Sequence, residues 1–276
     1  MEKLKIRPSR AIAPSLFTIG NMACGFYSLL ASSREEFTRA AAAILAGMAF
    51  DSLDGRVARL VRGVSAFGIE FDSLSDFLSF GLAPASMMHS FILKDYGSWG
   101  SLVAFFFTLC AALRLARFNV SAHGNISSSK GSFSGLPTPA AAGFLASFVL
   151  VYQIIEEGRP ARTWEFMMRQ VPALYGAIPF LILGLALLMV SKFPYPSFKG
   201  AGAFRLRSTK TLLIGILTTA FLLVYPQNTI FAVFSAYALS GPIVSVLRRA
   251  KNLLGKAGTA PPRSTSSEGR AAGPSG

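Results

Sequence analysis

Four aspartates, Asp51, Asp54, Asp72 and Asp76, fall within 26 consecutive residues of a strongly apolar chain, with no lysine among them. Ionisable side chains at membrane depth are costly and mark functional sites. Four of one sign repel one another unless cations intervene, so the group reads as a site for hard divalent ions. All-carboxylate ligation suits Mg²⁺, Mn²⁺ or Ca²⁺, whereas zinc favours His or Cys. Such ions, acting as a pair, neutralise phosphoryl oxygens and a leaving group when a hydroxyl attacks a diphosphate. A carboxylate within hydrogen-bond reach can take the nucleophile's proton, a contribution of roughly 10²–10⁴ in rate.

Helix geometry sharpens this. At about 100° per residue, Asp54 lies about 60° from Asp51 and Gly55 about 40° from it. One face therefore carries two carboxylates beside Gly55 and Ala58, positions with almost no side chain. Further on, Gly68, Asp72 and Asp76 follow one another at i, i+4 spacing. Two such faces opposed across a 60–67 turn would form an oxygen-lined cage, and glycine there permits close approach of a bulky ligand. Arg59 and Arg62 stand at the rim, where they suit a phosphate. Two other readings stay open: solvated carboxylates paired with Arg56, Arg59 and Arg62, and a cation route through a transporter.

The elements that must hold these residues follow from composition. The 276 residues are 52% hydrophobic and 14% charged, with a mean hydropathy of +0.48, which excludes disorder and indicates an integral membrane protein. A span needs about 20 mostly apolar residues. Eight are predicted, near 12–33, 38–60, 72–93, 97–118, 138–156, 173–192, 210–226 and 228–247. The expected fold is all-α, a polytopic membrane bundle of about eight transmembrane helices. No cleavable signal peptide is expected, because the basic start (Lys3, Lys5, Arg7, Arg10) leads into a stretch long enough to span.

With eight spans both termini share a side. The opposite side carries Arg34, Arg39, Lys94, Arg159, Arg162 and Arg169, balanced by Glu35, Glu36, Asp95, Glu156, Glu157 and Glu165. Every other Lys and Arg lies with the termini. The positive-inside rule thus places the termini and the aspartates in the cytoplasm, and the protein in the cytoplasmic membrane. The net charge of +14 is spread over span ends with no separate basic domain, so anionic headgroups explain it better than nucleic acid. Cys24 and Cys110 sit inside apolar spans and are too few for zinc, and His89 and His123 are isolated.

Residues 1–250 read as one membrane domain and 251–276, rich in Gly, Ala, Pro, Ser and Thr, as a disordered cytoplasmic tail. Residues 120–136 form a polar cytoplasmic loop long enough to be functional. Pro84, Pro179 and Pro242 are expected to kink their spans. The small-residue runs Ala40–Ala43 and Ala140–Gly143 would let helices approach closely.

The string Asp51-x-x-Asp54-Gly55-x-x-Ala58-Arg59, eight residues, Gly68, three residues, Asp72, three residues, Asp76 resembles the signature of the CDP-alcohol phosphotransferase family at every signature position. In that family a CDP-linked donor passes its phosphoryl-alcohol moiety to a second alcohol and CMP is released. The resemblance implies that Asp51, Asp54 and Asp72 hold a pair of divalent ions and that Asp76 shares an ion and acts as general base. Gly55, Ala58 and Gly68 would make room for the CDP-diacylglycerol donor, while Arg59 and Arg62 would hold its diphosphate.

Three further strings narrow the branch. They are Thr18-Ile19-Gly20-Asn21-Met22-Ala23-Cys24-Gly25-Phe26, Arg114-Leu115-Ala116-Arg117-Phe118-Asn119 and Phe133-Ser134-Gly135-Leu136-Pro137-Thr138-Pro139-Ala140-Ala141-Ala142-Gly143. They resemble the membrane-embedded branch of the family whose acceptor is L-serine, and extend the likeness from about residue 12 to 143. The branch implies a homodimer in the bilayer and a nucleotide contact at Asn21, for which interhelical hydrogen bonding is the plainer alternative. Arg114 and Arg117 would bind serine's carboxylate, with Asn119, Lys130 and Ser134 as further contacts; snorkelling to headgroups is the plainer role for the arginines. Pro137 and Pro139 would shape the entry to the fifth span. A glycerol-phosphate acceptor also suits clustered Arg and Lys, and a divalent-cation carrier is the contender of another class.

Overall fold

The computed structural model describes residues 8–61, 66–123, 132–156, 175–196, 221 and 224–257. Helix α1 (Pro8–Ser33) turns tightly into α2 (Phe37–Val61). Glu35 closes the turn at φ 60°, with its N–H bonded to Ser32 O and that of Glu36 to Ala31 O, which satisfies carbonyls at the helix end. Its carboxylate then accepts a 2.7 Å hydrogen bond from Lys94 Nζ. Ala40, Ala41 and Ile44 on α2 are fully buried, and these mostly small side chains let the helix pack between α1 and α6 (Thr138–Glu156).

The next rod is α3 (Ala66–Asp76), a π-helical stretch over Phe77–Leu82, and α4 (Ala83–Phe91). Pro84 supplies the reason for the widened stretch. It has no N–H, and its ring crowds the carbonyl four residues back, so the backbone opens and Ala83 N–H bonds to Leu78 O. A short 3₁₀ turn (Leu93–Tyr96) leads to α5 (Gly97–His123), whose Gly100 lies so close to Leu93 O that a Cβ there would collide with it.

Helix α7 (Ile178–Val190) packs along α5, and α8 (Pro226–Ala257) along α6. Between them, strands β1 (Ser132–Ser134) and β2 (Pro194–Pro196) pair antiparallel with Phe133 opposite Tyr195. Gly135 follows at φ 87°, a left-handed conformation that suits glycine, with the carbonyls of Met189 and Ser191 where a Cβ would stand. Phe80, Met87, Met88, Phe107, Leu145 and Phe148 form the fully buried centre.

Apart from the β1–β2 pair, the described residues are almost entirely helical. Among the described residues three helices are long and apolar enough to cross a bilayer, over Leu93–Val120, Thr138–Ile155 and Pro226–Leu247, with α7 apolar but shorter. Their outward stripes, Leu102, Phe105, Leu109 and Leu113 on α5 and Leu239, Ile243, Val246 and Leu247 on α8, are exposed at helical spacing, as lipid contact requires. Three rather than eight predicted spans meet this test. The α2 rod fails it because it carries Asp51 and Asp54 together with Arg39, Arg56 and Arg59, while the α3–α4 rod is broken by the π-helical stretch into pieces of 11, 6 and 9 residues. The predicted 210–226 span lies almost wholly outside the described residues.

Three expectations need correction. Helix α5 continues into the predicted 120–136 loop, which also holds β1. Pro179 sits in the first turn of α7, where proline is tolerated, and so kinks nothing. Helix α8 runs on through 251–257, where a tail was expected; 258–276 lie outside the described residues.

Candidate active site

The second half of α2 presents Asp51 and Asp54, and the last two turns of α3 present Asp72 and Asp76. Oxygens of Asp51, Asp72 and Asp76 all lie within 4.8 Å of one another, and the three residues are half-buried. Two oxygens on one hard cation, each at roughly 2.0–2.6 Å, can stand up to about 5 Å apart, so this donor set fits a divalent ion. Without one, each like-charged pair at that separation costs on the order of 3 kcal/mol at an effective dielectric of about 20.

Asp54 is not one of this trio. It is buried, 7% exposed, and its Oδ2 accepts a 2.5 Å hydrogen bond from Thr18 Oγ1 on α1. Its Oδ1 is buried with no hydrogen-bond partner among the described residues.

Helix α1 carries no acid yet braces both carboxylate-bearing rods. Thr18 and Asn21 are one turn apart. Thr18 O accepts from Ser75 Oγ at 3.1 Å, Asn21 Nδ2 donates to Asp76 Oδ1 at 3.1 Å, and Asn21 O accepts from Ser79 Oγ at 2.9 Å. Glycines make this possible. A Cβ on Gly47 would stand 2.9 Å from Asn21 Oδ1, and one on Gly25 would press on Ser79.

On α5, Arg114 is within electrostatic reach of Asp76 and of Tyr237 on α8. Its Nη1 donates to Thr138 Oγ1 at 3.0 Å, while its Nε is buried without a hydrogen-bond partner among the described residues. Arg117 Nη1 donates to Val190 O at 3.2 Å, at the carboxyl end of α7. The Asn119 amide turns to α3, accepting from Ser73 Oγ at 3.0 Å and donating to Glu70 Oε2 at 3.3 Å.

The structure thus gathers Asp51, Asp72, Asp76, Asn21 and Arg114, and sets Asp54 beside them on Thr18. Arg117 is bonded to Val190 O on α7, and Asn119 to Ser73 and Glu70 on α3. Gly55 is exposed on α2 and Gly68 half-buried on α3. Ala58 and Arg59 continue α2, and Ser134 ends β1, with their side chains outside the description; Arg62 and Lys130 lie outside the described residues. Sequence reasoning missed Thr18, Ser75, Ser79 and Thr138. The available signal was positional: Thr18, Asn21 and Gly25 recur at helical spacing, and Thr138 stands in the quoted Gly-Leu-Pro-Thr string.

Acids from two adjacent rods thus converge beside a third helix into a metal-competent acidic centre, in a chain with three helices long and apolar enough to cross a bilayer among the described residues. The chain belongs to the CDP-alcohol phosphatidyltransferase family, whose profile matches residues 11–190 and so ends with α7. It is 37% identical over 186 residues to the CDP-diacylglycerol–serine O-phosphatidyltransferase of Helicobacter pylori, covering 67% of this chain and 72% of that one. It is 31% identical over 195 residues to the enzyme of the same name from Bacillus subtilis, covering 71% and 96%. It is also 34% identical over 192 residues to archaetidylserine synthase of Methanothermobacter thermautotrophicus, covering 69% and 72%.

Proposed function

We propose that the protein transfers the phosphatidyl group of CDP-diacylglycerol to the hydroxyl of L-serine and releases CMP. The observation that carries this reading is the convergence of Asp51, Asp72 and Asp76 within 4.8 Å, in a chain whose relatives are named for that serine transfer. Asp51, Asp54, Asp72 and Asp76 would hold two divalent ions, Mg²⁺ or Mn²⁺, which supply charge neutralisation on the diphosphate.

The remaining steps belong to the chain's own groups. Serine Oγ bonds to the lipid-side phosphorus, the bond from that phosphorus to the bridging oxygen of CMP breaks, and the hydroxyl proton passes to Asp76. Asn21 holds Asp76 Oδ1 through its amide N–H, which fixes the base's orientation. The Nε of Arg114, without a hydrogen-bond partner among the described residues, suits an anion beside Asp76, and serine's carboxylate is that anion in this reading. Arg59 and Arg62 would take the diphosphate, and Gly55, Ala58 and Gly68 would leave space for the nucleotide. Lipid tails would enter sideways between helices.

Topology belongs to the same proposal. About eight spans across residues 1–250, both termini and the aspartates on the cytoplasmic side of the cell membrane, and a homodimer are supported by the distribution of Lys and Arg and by family resemblance. The test uses purified protein with CDP-diacylglycerol, Mn²⁺ and labelled serine. Serine-dependent CMP release is expected. Release only with glycerol 3-phosphate would move the chain to the glycerophosphate branch, and metal flux into vesicles without turnover would make it a carrier.

A further inference from the structure

We infer that Thr18 is a positioning residue for Asp54, tying one oxygen of that carboxylate to α1 so that the other stays available to a divalent ion. This rests on the metal reading above and extends it to a residue with no charge. Four observations converge on it. Thr18 is buried at 3% exposure and Asp54 at 7%, so their bond is shielded from bulk water. The Thr18 hydroxyl donates to Asp54 Oδ2, which fixes the carboxylate's rotation. Asp54 Oδ1 is buried with no hydrogen-bond partner among the described residues, an expensive state for a charged acceptor unless something else binds it.

The fourth observation is that Thr18 is itself held. Its carbonyl accepts from Ser75 Oγ on α3, one residue before Asp76. Thr18 therefore links the acid standing apart from the trio to the helix that carries two members of the trio. Outer-sphere partners that orient a ligand commonly change metal affinity when removed, by about 10- to 100-fold. A valine here keeps the shape and loses the donor; a serine keeps the donor and loses only a methyl.

The experiment measures Mn²⁺ binding to full-length protein in detergent, without substrate, as the concentration that half-saturates thermal stabilisation. The Mn²⁺ dependence of CMP release is followed in parallel. Thr18→Val should raise the Mn²⁺ midpoint about tenfold or more, and raise the Mn²⁺ needed for half-maximal rate with kcat recovered at saturation. Thr18→Ser should stay within about threefold of the parent. If the valine protein fails to accumulate, Thr18→Ala replaces it in the same comparison with serine. A donor-less variant with the parent's midpoint overturns the inference, as does a serine variant as weak as the donor-less one. Asp72→Asn is the separate control. If it too leaves the Mn²⁺ midpoint unchanged, the metal reading fails; if it abolishes stabilisation while Thr18→Val does nothing, only the role of Thr18 fails.

Discussion

Gly25 is where a single methyl should reach the chemistry from a distance. A Cβ built there would stand 2.8 Å from the Cα of Ser79, a backbone atom that cannot rotate away. Ordinary contact begins near 3.4 Å, so Gly25→Ala must push α1 and the π-helical stretch apart by about 0.6 Å. Those two segments are joined by the 2.9 Å bond from Ser79 Oγ to Asn21 O, and Asn21 in turn donates to Asp76 at 3.1 Å. Lengthening the latter by the same amount takes it beyond hydrogen-bond range. Overpacking of this kind costs roughly 1–3 kcal/mol of stability. Misplacing a catalytic group by about 1 Å costs up to about 100-fold in rate. Gly25→Ala should therefore lower kcat for CMP release by roughly 10- to 100-fold while thermal stability in detergent falls only modestly. Parent-like kcat in a folded protein would refute the linkage from Gly25 through Ser79 and Asn21 to Asp76.

Other outcomes follow from the same geometry. Asp76→Asn should lower CMP release by roughly 10²–10⁴ while CDP-diacylglycerol binding persists, measured by ligand-induced thermal stabilisation; a retained rate would remove its role as base. Chelation with EDTA should abolish turnover and Mn²⁺ should restore it, since three carboxylates within 4.8 Å need a compensating charge to act together. Arg114→Ala should raise the serine KM far more than the CDP-diacylglycerol KM; an equal rise in both would mean that Arg114 is no serine-specific contact beside Asp76.

The aspartate pattern was legible because its information is local: a spacing on a helix fixes a face, and two such faces a short turn apart can meet. The same local rule located α1 and α2 to within a few residues. It could not separate Asp54 from the other three acids, because that depends on a hydroxyl from α1, and a threonine inside an apolar helix has no distinctive sequence signal. Nor could it show the widened backbone after Asp76, although Pro84 was visible, because a proline inside a span predicts disruption without its form. Asn119 was expected to meet substrate. Its amide joins α5 to α3 through Ser73 and Glu70, a pairing across more than 40 residues that no local rule reaches.

The β1–β2 ribbon has a consequence for how this molecule comes to exist. It clasps the segment before α6 to the segment after α7, so everything between them becomes a closed ring. A clasp across so long a stretch gives up closure entropy before its few bonds form, so it should be among the last contacts to close. Tyr195 on the clasp donates to Ala238 O on the last helix at 2.9 Å, so the ring is also tied to the final rod.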